Sequence, residues 1–113
     1  MSAITTHVLD TSRGEPAARV QVVLERRSAG GYEELGRGVT DNDGRLRTLL
    51  PQGAKVERGV HRLTFSTAEY FARQGVEGFY PEVTIAFEIR DPAQHYHVPL
   101  LLTPFGYSTY RGS

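Results

Sequence analysis

Short runs in which hydrophobic and polar residues alternate recur along the chain, and glycine, proline and aspartate separate them. Alternation with a period of two is typical of strands that bury one face against a core. The pattern predicts seven strands before a closing segment at residues 106–113, and these strands lie at residues 4–10, 19–27, 32–40, 45–49, 59–65, 81–90 and 96–103. Many short strands with turn signals between them favour an all-β sandwich or barrel.

One segment, residues 66–74, is predicted to be a short helix. Ser66 and Glu69 have the spacing of a capping box, and Gly75 stands where a C-terminal cap is common. Two polar, glycine-containing segments predict turns, because glycine tolerates positive φ and aspartate favours turns. These turns lie at residues 28–31 and 41–44.

The strand at residues 96–103 departs from simple alternation. Tyr96, Val98, Leu100 and Leu102 form one face, and the opposite face of His97, Pro99 and Leu101 is also largely apolar. A strand that is apolar on both faces needs cover on both. We therefore expect the second face to meet another subunit, a ligand or both; the alternative is cover by loops of the same chain.

The length and charge of the chain limit the classes of function that are open to it. The 113 residues fit a single domain, residues 1–113, and 13 basic residues balance 13 acidic ones, which argues against nucleic-acid or anionic-membrane binding. No cysteine is present, so disulfides and cysteine-based metal sites are excluded. The N-terminal residues lack the pattern of a secretory signal, and no apolar run approaches the length of a membrane span, so we expect a cytoplasmic protein.

Histidine and arginine are the candidate catalytic residues. A neutral imidazole is a general base near pH 7, and an arginine holds an anionic or carbonyl-rich ligand with a fork of donors. The candidates are His7, Arg45 and His97 on predicted strands, with Tyr110 and Ser113 in the polar C-terminal tetrapeptide. That tetrapeptide is either a frayed end or an ordered part of the site. We assign no role to His61.

A zinc site is an alternative interpretation of the histidines. His95 and His97 are two residues apart on one strand, which places both imidazoles on the same face, and His7 lies on a compatible face. The spacing alone identifies no complete ligand set, so a zinc-dependent hydrolase stays open beside a metal-free one.

Taken together, several stretches resemble the enzyme branch of the transthyretin-like family, whose members hydrolyse 5-hydroxyisourate. The likeness extends from Ile4 to the end of the chain, and the terminal Tyr-Arg-Gly-Ser is specific to the enzyme branch. The matching stretches are Thr5-Thr6-His7-Val8-Leu9-Asp10-Thr11, Gly14-x-Pro16-Ala17, Thr40-Asp41-x-x-Gly44-Arg45, Thr67-Ala68-Glu69-Tyr70-Phe71, Phe79-Tyr80-Pro81-Glu82-Val83, His95-Tyr96-His97-Val98-Pro99-Leu100-Leu101-Leu102 and Pro104-Phe105-Gly106-Tyr107-Ser108-Thr109-Tyr110-Arg111-Gly112-Ser113.

The resemblance implies a transthyretin-like (prealbumin-like) Greek-key β-sandwich of eight strands with one short helix. It also implies a homotetramer, built as a dimer of dimers, with active sites in a channel between the dimers. The first, fourth, seventh and eighth strands would share one sheet, and alternation along them would turn His7, Arg45, His97 and Tyr110 toward the channel. Leu9, Pro99, Leu101 and Ser108 would lie on the same face.

The family roles, carried over by matched motif, make His7, Arg45, His97 and Tyr110 catalytic and place Ser113 beside them. One histidine would activate water, Arg45 would stabilise the oxyanion, and the other histidine would protonate the leaving nitrogen, while Tyr110 and Ser113 bind the ring. The reaction would open the six-membered ring to give 2-oxo-4-hydroxy-4-carboxy-5-ureidoimidazoline, with no cofactor or metal. Which histidine is the base stays open, and a small-ligand carrier that uses the same channel is the alternative function.

Overall fold

The computed structural model describes residues 2–113. Each predicted strand is present, the closing segment forms a further strand, and a two-residue strand at Glu15–Pro16 was not predicted. The elements are β1 (Ile4–Asp10), β2 (Glu15–Pro16), β3 (Gln21–Ser28), β4 (Gly31–Val39), β5 (Arg45–Leu46), β6 (Gly59–Phe65), α1 (Thr67–Ala72), β7 (Val83–Ile89), β8 (Tyr96–Thr103) and β9 (Gly106–Thr109).

The strands form two sheets that face each other. One sheet has five strands in the order β2-β1-β8-β9, with β5 also paired to β1, and the other has the order β4-β3-β6-β7. β1 and β8 run parallel, whereas β5 runs antiparallel to β1. The first, fourth, seventh and eighth of the predicted strands therefore share one sheet, and the predicted all-β sandwich with one short helix is confirmed.

The core lies between the two sheets and follows from the alternation in the sequence. Val8, Leu24, Leu63 and Leu100 come from strands of both sheets, and each is fully buried. Burial of such a side chain stabilises the fold by about 1.5–3 kcal/mol. The faces of β1 and β8 that point away from this core are the surface on which the candidate site is built.

The helix is shorter than predicted, and the predicted capping box is wrong. The Ser66 side chain makes no capping hydrogen bond; instead, the Thr67 hydroxyl donates to the Tyr80 carbonyl at 3.0 Å. α1 ends at Ala72, and Gly75 adopts the expected left-handed conformation with φ of 69°. The Tyr70 hydroxyl donates to the buried Asp10 carboxylate at 2.8 Å, which fixes the helix to β1.

β5 ends at Leu46 rather than at residue 49, because the chain leaves β1 there to reach the other sheet. Leu49 and Leu50 are buried, and a Cβ at Gly36 of β4 would lie 1.9 Å from the Leu49 carbonyl oxygen. Glycine at position 36 permits this close approach. Only the first residues after the Asp41–Gly44 turn therefore stay on β1, and Arg45 is the first of them.

Within residues 2–113, no helix is long and apolar enough to cross a membrane.

Candidate active site

The candidate site lies on the outer face of the five-stranded sheet. Thr5 of β1 lies opposite His97 of β8, and His7 lies opposite both Pro99 of β8 and Arg45 of β5. Residues paired across neighbouring strands turn their side chains to the same face of the sheet. The register therefore places Thr5, His7, Arg45 and His97 together on the face that the core does not use.

A cavity of about 580 Å³ opens on this face. It brings together three of the predicted site residues, namely Arg45, His97 and Ser113. Four further residues line the cavity, and none of them has a predicted role in a metal-free site. They are Thr5, Thr6, Arg47 and His95. The spacing of Arg45 and Arg47, two residues apart on a predicted strand, was a signal that could have identified Arg47.

The cavity is electrostatically positive. No aspartate or glutamate side chain lines it, and within residues 2–113 neither Arg45 nor Arg47 takes part in a salt bridge. Other arginines of the chain, such as Arg37 and Arg62, are paired with glutamates. Unpaired guanidinium groups suit an electron-rich oxygen on a ligand.

His97 is held in its neutral form by its surroundings. Burial lowers the pKa of the His97 imidazole, and the positive charges of Arg45, His7, His95 and Arg47 lower it further. An imidazole with a pKa below its ordinary value of about 6.5 is uncharged at neutral pH. His97 is therefore available as a base at neutral pH.

His7 lies at the edge of the site rather than in the wall of the cavity. Its Nε2–H donates to the Asp43 carbonyl at 2.8 Å, in the turn that precedes Arg45. Because this nitrogen carries the proton, Nδ1 of the neutral ring is its basic atom. The bond fixes the ring against the Asp41–Gly44 turn, so the placements of His7 and Arg45 depend on each other.

That turn is itself well determined. The Asp41 carboxylate accepts hydrogen bonds from the backbone N–H groups of Asp43 at 2.8 Å and Arg45 at 3.0 Å. Gly44 has a φ of 75°, which favours glycine, and a Cβ there would lie 2.3 Å from the Val8 carbonyl oxygen. The predicted tight turn is confirmed, and it delivers Arg45 to the outer face.

Thr5 joins two histidines. Its side chain is almost fully buried, and its hydroxyl oxygen lies 2.7 Å from Nδ1 of His97 and 3.0 Å from Nε2 of His95. Nε2 of His97 has no hydrogen-bond partner among residues 2–113. This nitrogen is the one left free for a water molecule or a substrate.

The C-terminal tetrapeptide is ordered against β8 rather than frayed. The Arg111 guanidinium lies 4.4 Å from the centre of the Tyr96 ring and donates to the Gln94 side chain at 3.1 Å. The Gly112 N–H donates to the His97 carbonyl at 2.8 Å. Arg111 thus anchors the tail, and Ser113 follows into the cavity wall.

Tyr110 lies apart from the other predicted site residues. Pro99 has no N–H to pair with the tail, and its carbonyl accepts from the Thr109 hydroxyl at 2.7 Å, so β9 ends at Thr109 and pairing resumes only at Gly112. Alternation therefore does not carry through to Tyr110. Its side chain is 58% exposed and lines a different hollow, beside Phe87 and Tyr96.

The tail also covers part of the second apolar face of β8. Pro99 is buried within the single chain, while His97 and Leu101 are half-buried. A Cβ at Gly112 would lie 3.3 Å from Cγ of Pro99, which shows how closely the tail packs there. The burial of Pro99 therefore comes from the same chain, which was the alternative expected for this face.

Replacement of Gly112 by alanine should damage the site without damaging the fold. The added Cβ would lie 2.6 Å from Cδ2 of His97, so the imidazole or the tail must move. We expect kcat/KM for the substrate of the site to fall by about tenfold or more, because small displacements of catalytic groups are costly. The measurement is a comparison of steady-state rates and thermal melting for Gly112→Ala and the wild type.

Gly30→Ala is the matched control, because a Cβ at Gly30 meets nothing within 4 Å. Equal activity of both variants would show that contact between Gly112 and His97 is irrelevant to function.

The structure does not assemble the zinc site that the histidines left open. Among residues 2–113, no three histidine, aspartate or glutamate side chains lie together in an arrangement that would hold a metal ion. His95 and His97 each turn a nitrogen to the Thr5 hydroxyl instead.

A second surface hollow, of about 560 Å³, lies beside Arg13, Arg19 and Arg73. These arginines already have partners in Glu15, Asn42 and Glu69 respectively, and no histidine lines the hollow. It therefore offers neither a neutral base nor a free guanidinium, and the outer-face cavity is the stronger candidate.

The model of the HIUase/Transthyretin family matches residues 4–112. The chain belongs to this family. A 5-hydroxyisourate hydrolase from Halalkalibacterium halodurans is 50% identical over an alignment of 115 positions, gaps included, that covers 97% of this chain and 97% of that protein. The resemblance inferred from the sequence motifs is confirmed.

The solved structures that this chain resembles include a 5-hydroxyisourate hydrolase and a transthyretin. The 5-hydroxyisourate hydrolase of Klebsiella pneumoniae has a TM-score of 0.85 and 41% identity, covering 97% of this chain and 98% of that one. Sea bream transthyretin in complex with thyroxine has a TM-score of 0.89 and 30% identity, covering 98% of this chain and 95% of that one. Because the backbone resembles both, the outer-face side chains must decide which function the family fold performs here.

Proposed function

We propose that this chain hydrolyses 5-hydroxyisourate to 2-oxo-4-hydroxy-4-carboxy-5-ureidoimidazoline, without a metal or cofactor. The observation that carries the proposal is His97, a half-buried imidazole with a lowered pKa, in a cavity that also holds the unpaired Arg45. A neutral base beside a fixed positive charge is the pair of groups that attack of water on a carbonyl requires.

The chemistry divides between these two groups. Nε2 of His97 takes a proton from water, and the resulting hydroxide attacks the carbonyl carbon of the cyclic amide. Arg45 donates hydrogen bonds to the oxygen on which negative charge develops. When the tetrahedral intermediate collapses, the ring C–N bond breaks, and the leaving nitrogen takes a proton from an imidazolium.

The remaining predicted residues take supporting roles. His7 lies opposite Arg45 and adds positive charge near His97, and Ser113 lines the cavity, where its polar groups can bind the ring edge. Tyr110 lies outside this cavity, so a role in catalysis requires that assembly of subunits carries it toward a neighbouring site.

We also propose that residues 1–113 act as a single hydrolase domain that assembles in the cytoplasm as a homotetramer, a dimer of dimers with the cavities between dimers. The outer face carries Leu9 and Leu101 half-buried, and Phe105 and Phe79 are 74% and 68% exposed. Large apolar side chains on the surface favour an interface. Sedimentation velocity should give a mass near four times 12.6 kDa; a stable monomer that retains full activity would contradict the assembly.

The test of the proposed function is an absorbance assay with freshly generated 5-hydroxyisourate. Spontaneous decay of the substrate is recorded without protein and subtracted. We expect turnover on the order of 10 per second, a typical value for an enzyme. A rate equal to the spontaneous decay would reject the enzyme.

The carrier function is tested with the same preparation. Titration with thyroxine, the ligand of the sea bream transthyretin complex, should show no binding at micromolar concentration. Tight stoichiometric binding of thyroxine without any hydrolysis of 5-hydroxyisourate would show that the protein is a carrier and not an enzyme.

A further inference from the structure

We propose that Thr5 and His95 form a proton relay with His97, which passes the proton of the attacking water to His95 and returns it when the ring opens. The inference deepens the proposed hydrolysis and rests on it. It gives a role to two residues that the site chemistry has so far left unused. Both are positioning residues, since each acts through His97.

The hydrogen bonds of Thr5 constrain the two rings together. A threonine hydroxyl has one proton, yet its oxygen lies within hydrogen-bond distance of two imidazole nitrogens, Nδ1 of His97 and Nε2 of His95. When the hydroxyl proton lies in one of these two contacts, that nitrogen accepts it and the other nitrogen donates its own N–H to the oxygen. The tautomers of the two neutral histidines are therefore coupled through Thr5.

The position of the free nitrogen of His97 determines which proton arrangement supports catalysis. If His97 donates from Nδ1, its Nε2 carries a lone pair, and this is the nitrogen without a partner among residues 2–113. The Thr5 hydroxyl then donates to Nε2 of His95. This arrangement answers the question that the sequence left open, because it makes His97 the base.

The proton transfers balance along the relay. The O–H bond of water breaks and a bond forms between that proton and Nε2 of His97, while the hydroxide adds to the carbonyl carbon. The Nδ1–H bond of His97 breaks as its proton moves to the Thr5 oxygen, and the proton of Thr5 moves to Nε2 of His95. His97 is again neutral, with its proton on Nε2, and His95 carries the positive charge.

The relay runs backward when the ring opens. Nε2–H of His97 gives its proton to the leaving nitrogen, Thr5 returns a proton to Nδ1, and His95 becomes neutral. One imidazole thus acts first as base and then as acid.

Burial and charge favour the direction of this relay. His97 is half-buried, between Arg45, Arg47 and His7, whose charges disfavour a second positive charge on it. His95 is exposed to solvent. Arg111 donates to the His95 carbonyl at 3.3 Å, so the tail holds this end of the relay in place.

Thr5→Val tests the hydroxyl, because valine keeps the branched shape and strand preference but removes the bridge. We expect kcat to fall by about tenfold or more with KM within about threefold of the wild type, and Thr5→Ser to restore most of the rate. Thr84→Val is the matched control, since the Thr84 hydroxyl lies on the other sheet, 3.2 Å from the hydroxyl of Thr64. A Thr5→Val enzyme with unchanged kcat would overturn the relay.

His95→Gln tests the exposed end and covers the case in which Thr5→Val fails to fold. We expect a loss of kcat at constant KM, and partial recovery when imidazole is added to the buffer, because the exposed site admits an external proton acceptor. In ¹⁵N spectra of the wild type at neutral pH, Nδ1 of His97 should be the protonated nitrogen. Full activity of His95→Gln, or His97 protonated on Nε2 in the resting enzyme, would contradict the relay.

The same data separate the relay from the proposed function. If the wild type hydrolyses 5-hydroxyisourate and the Thr5 and His95 variants are equally active, the relay is wrong but the proposed function stands. If the wild type does not hydrolyse 5-hydroxyisourate, the proposed function is wrong as well.

Discussion

His97→Asn should lower kcat/KM for 5-hydroxyisourate by about 100-fold or more, the usual contribution of a general base. The asparagine side chain places an amide near the position of Nδ1, so the contact with Thr5 can persist, whereas Nε2 is lost. The variant therefore removes the base while it keeps the hydrogen bond between β8 and Thr5. Most of the loss should appear in kcat, since the base acts on water in the transition state.

The measurement is a steady-state comparison with the wild type, with thermal melting as a check that the sandwich is intact. His97 contributes little apolar surface to the core, so the melting temperature should change by a few degrees at most. A folded His97→Asn enzyme with a rate within threefold of the wild type would show that the base is another group, and His7 would be the next candidate.

Arg45→Ala should have the second large effect, a loss of about 100- to 1000-fold in kcat, as expected when one oxyanion donor is removed. Within residues 2–113 the Arg45 side chain forms no salt bridge, so its removal leaves no carboxylate unpaired in the fold. Its backbone N–H bond to Asp41 does not depend on the side chain. The loss should therefore be chemical rather than structural.

Two further variants sharpen this test. Arg45→Lys keeps the charge but loses the planar fork, and we expect it to recover only part of the rate. Arg27→Ala removes an exposed arginine from the end of β3 and should leave the rate unchanged. Equal rates for Arg45→Ala and Arg27→Ala would exclude Arg45 from the oxyanion site.

The sequence predicted the elements whose pattern is local. The bounds predicted for β1, β6 and β8 are those observed, because their alternation is bordered by clear turn signals. The capping box failed, since Ser66 and Glu69 have the right spacing but the Ser66 backbone, with φ −83° and ψ 74°, does not direct the hydroxyl to the helix.

The candidate site was predictable only in part. His7, Arg45 and His97 followed from residue type and family motif, and the sheet order joined them. The role of Thr5 depends on the parallel register of β1 and β8, which pairs Thr5 with His97 across 92 positions of sequence. No local pattern in the sequence indicates such a pairing, so the role of Thr5 could not be predicted from one sequence.

Tyr110 shows where strand alternation stops being informative. Strand alternation was extended from β9 through the tail, but Pro99 cannot donate to the ladder, and the tail leaves the strand at Thr109. The sequence shows the proline, but it does not show which residue of the tail lies opposite it. Gly112 and Arg111 have clear structural roles in the same tail, and neither role has a signature apart from the family motif.

The pH dependence of kcat/KM for the wild type tests the central claim most directly. Burial and the charges of Arg45, His7, His95 and Arg47 lower the pKa of His97, and only its neutral form accepts a proton from water. Activity should therefore be lost only as the pH falls through a midpoint below about 6.5, the ordinary value for histidine, and it should be constant from pH 7 to about 8. A midpoint above that value, or a rate that decreases as the pH rises from 6 to 8, would contradict a neutral His97 as the base.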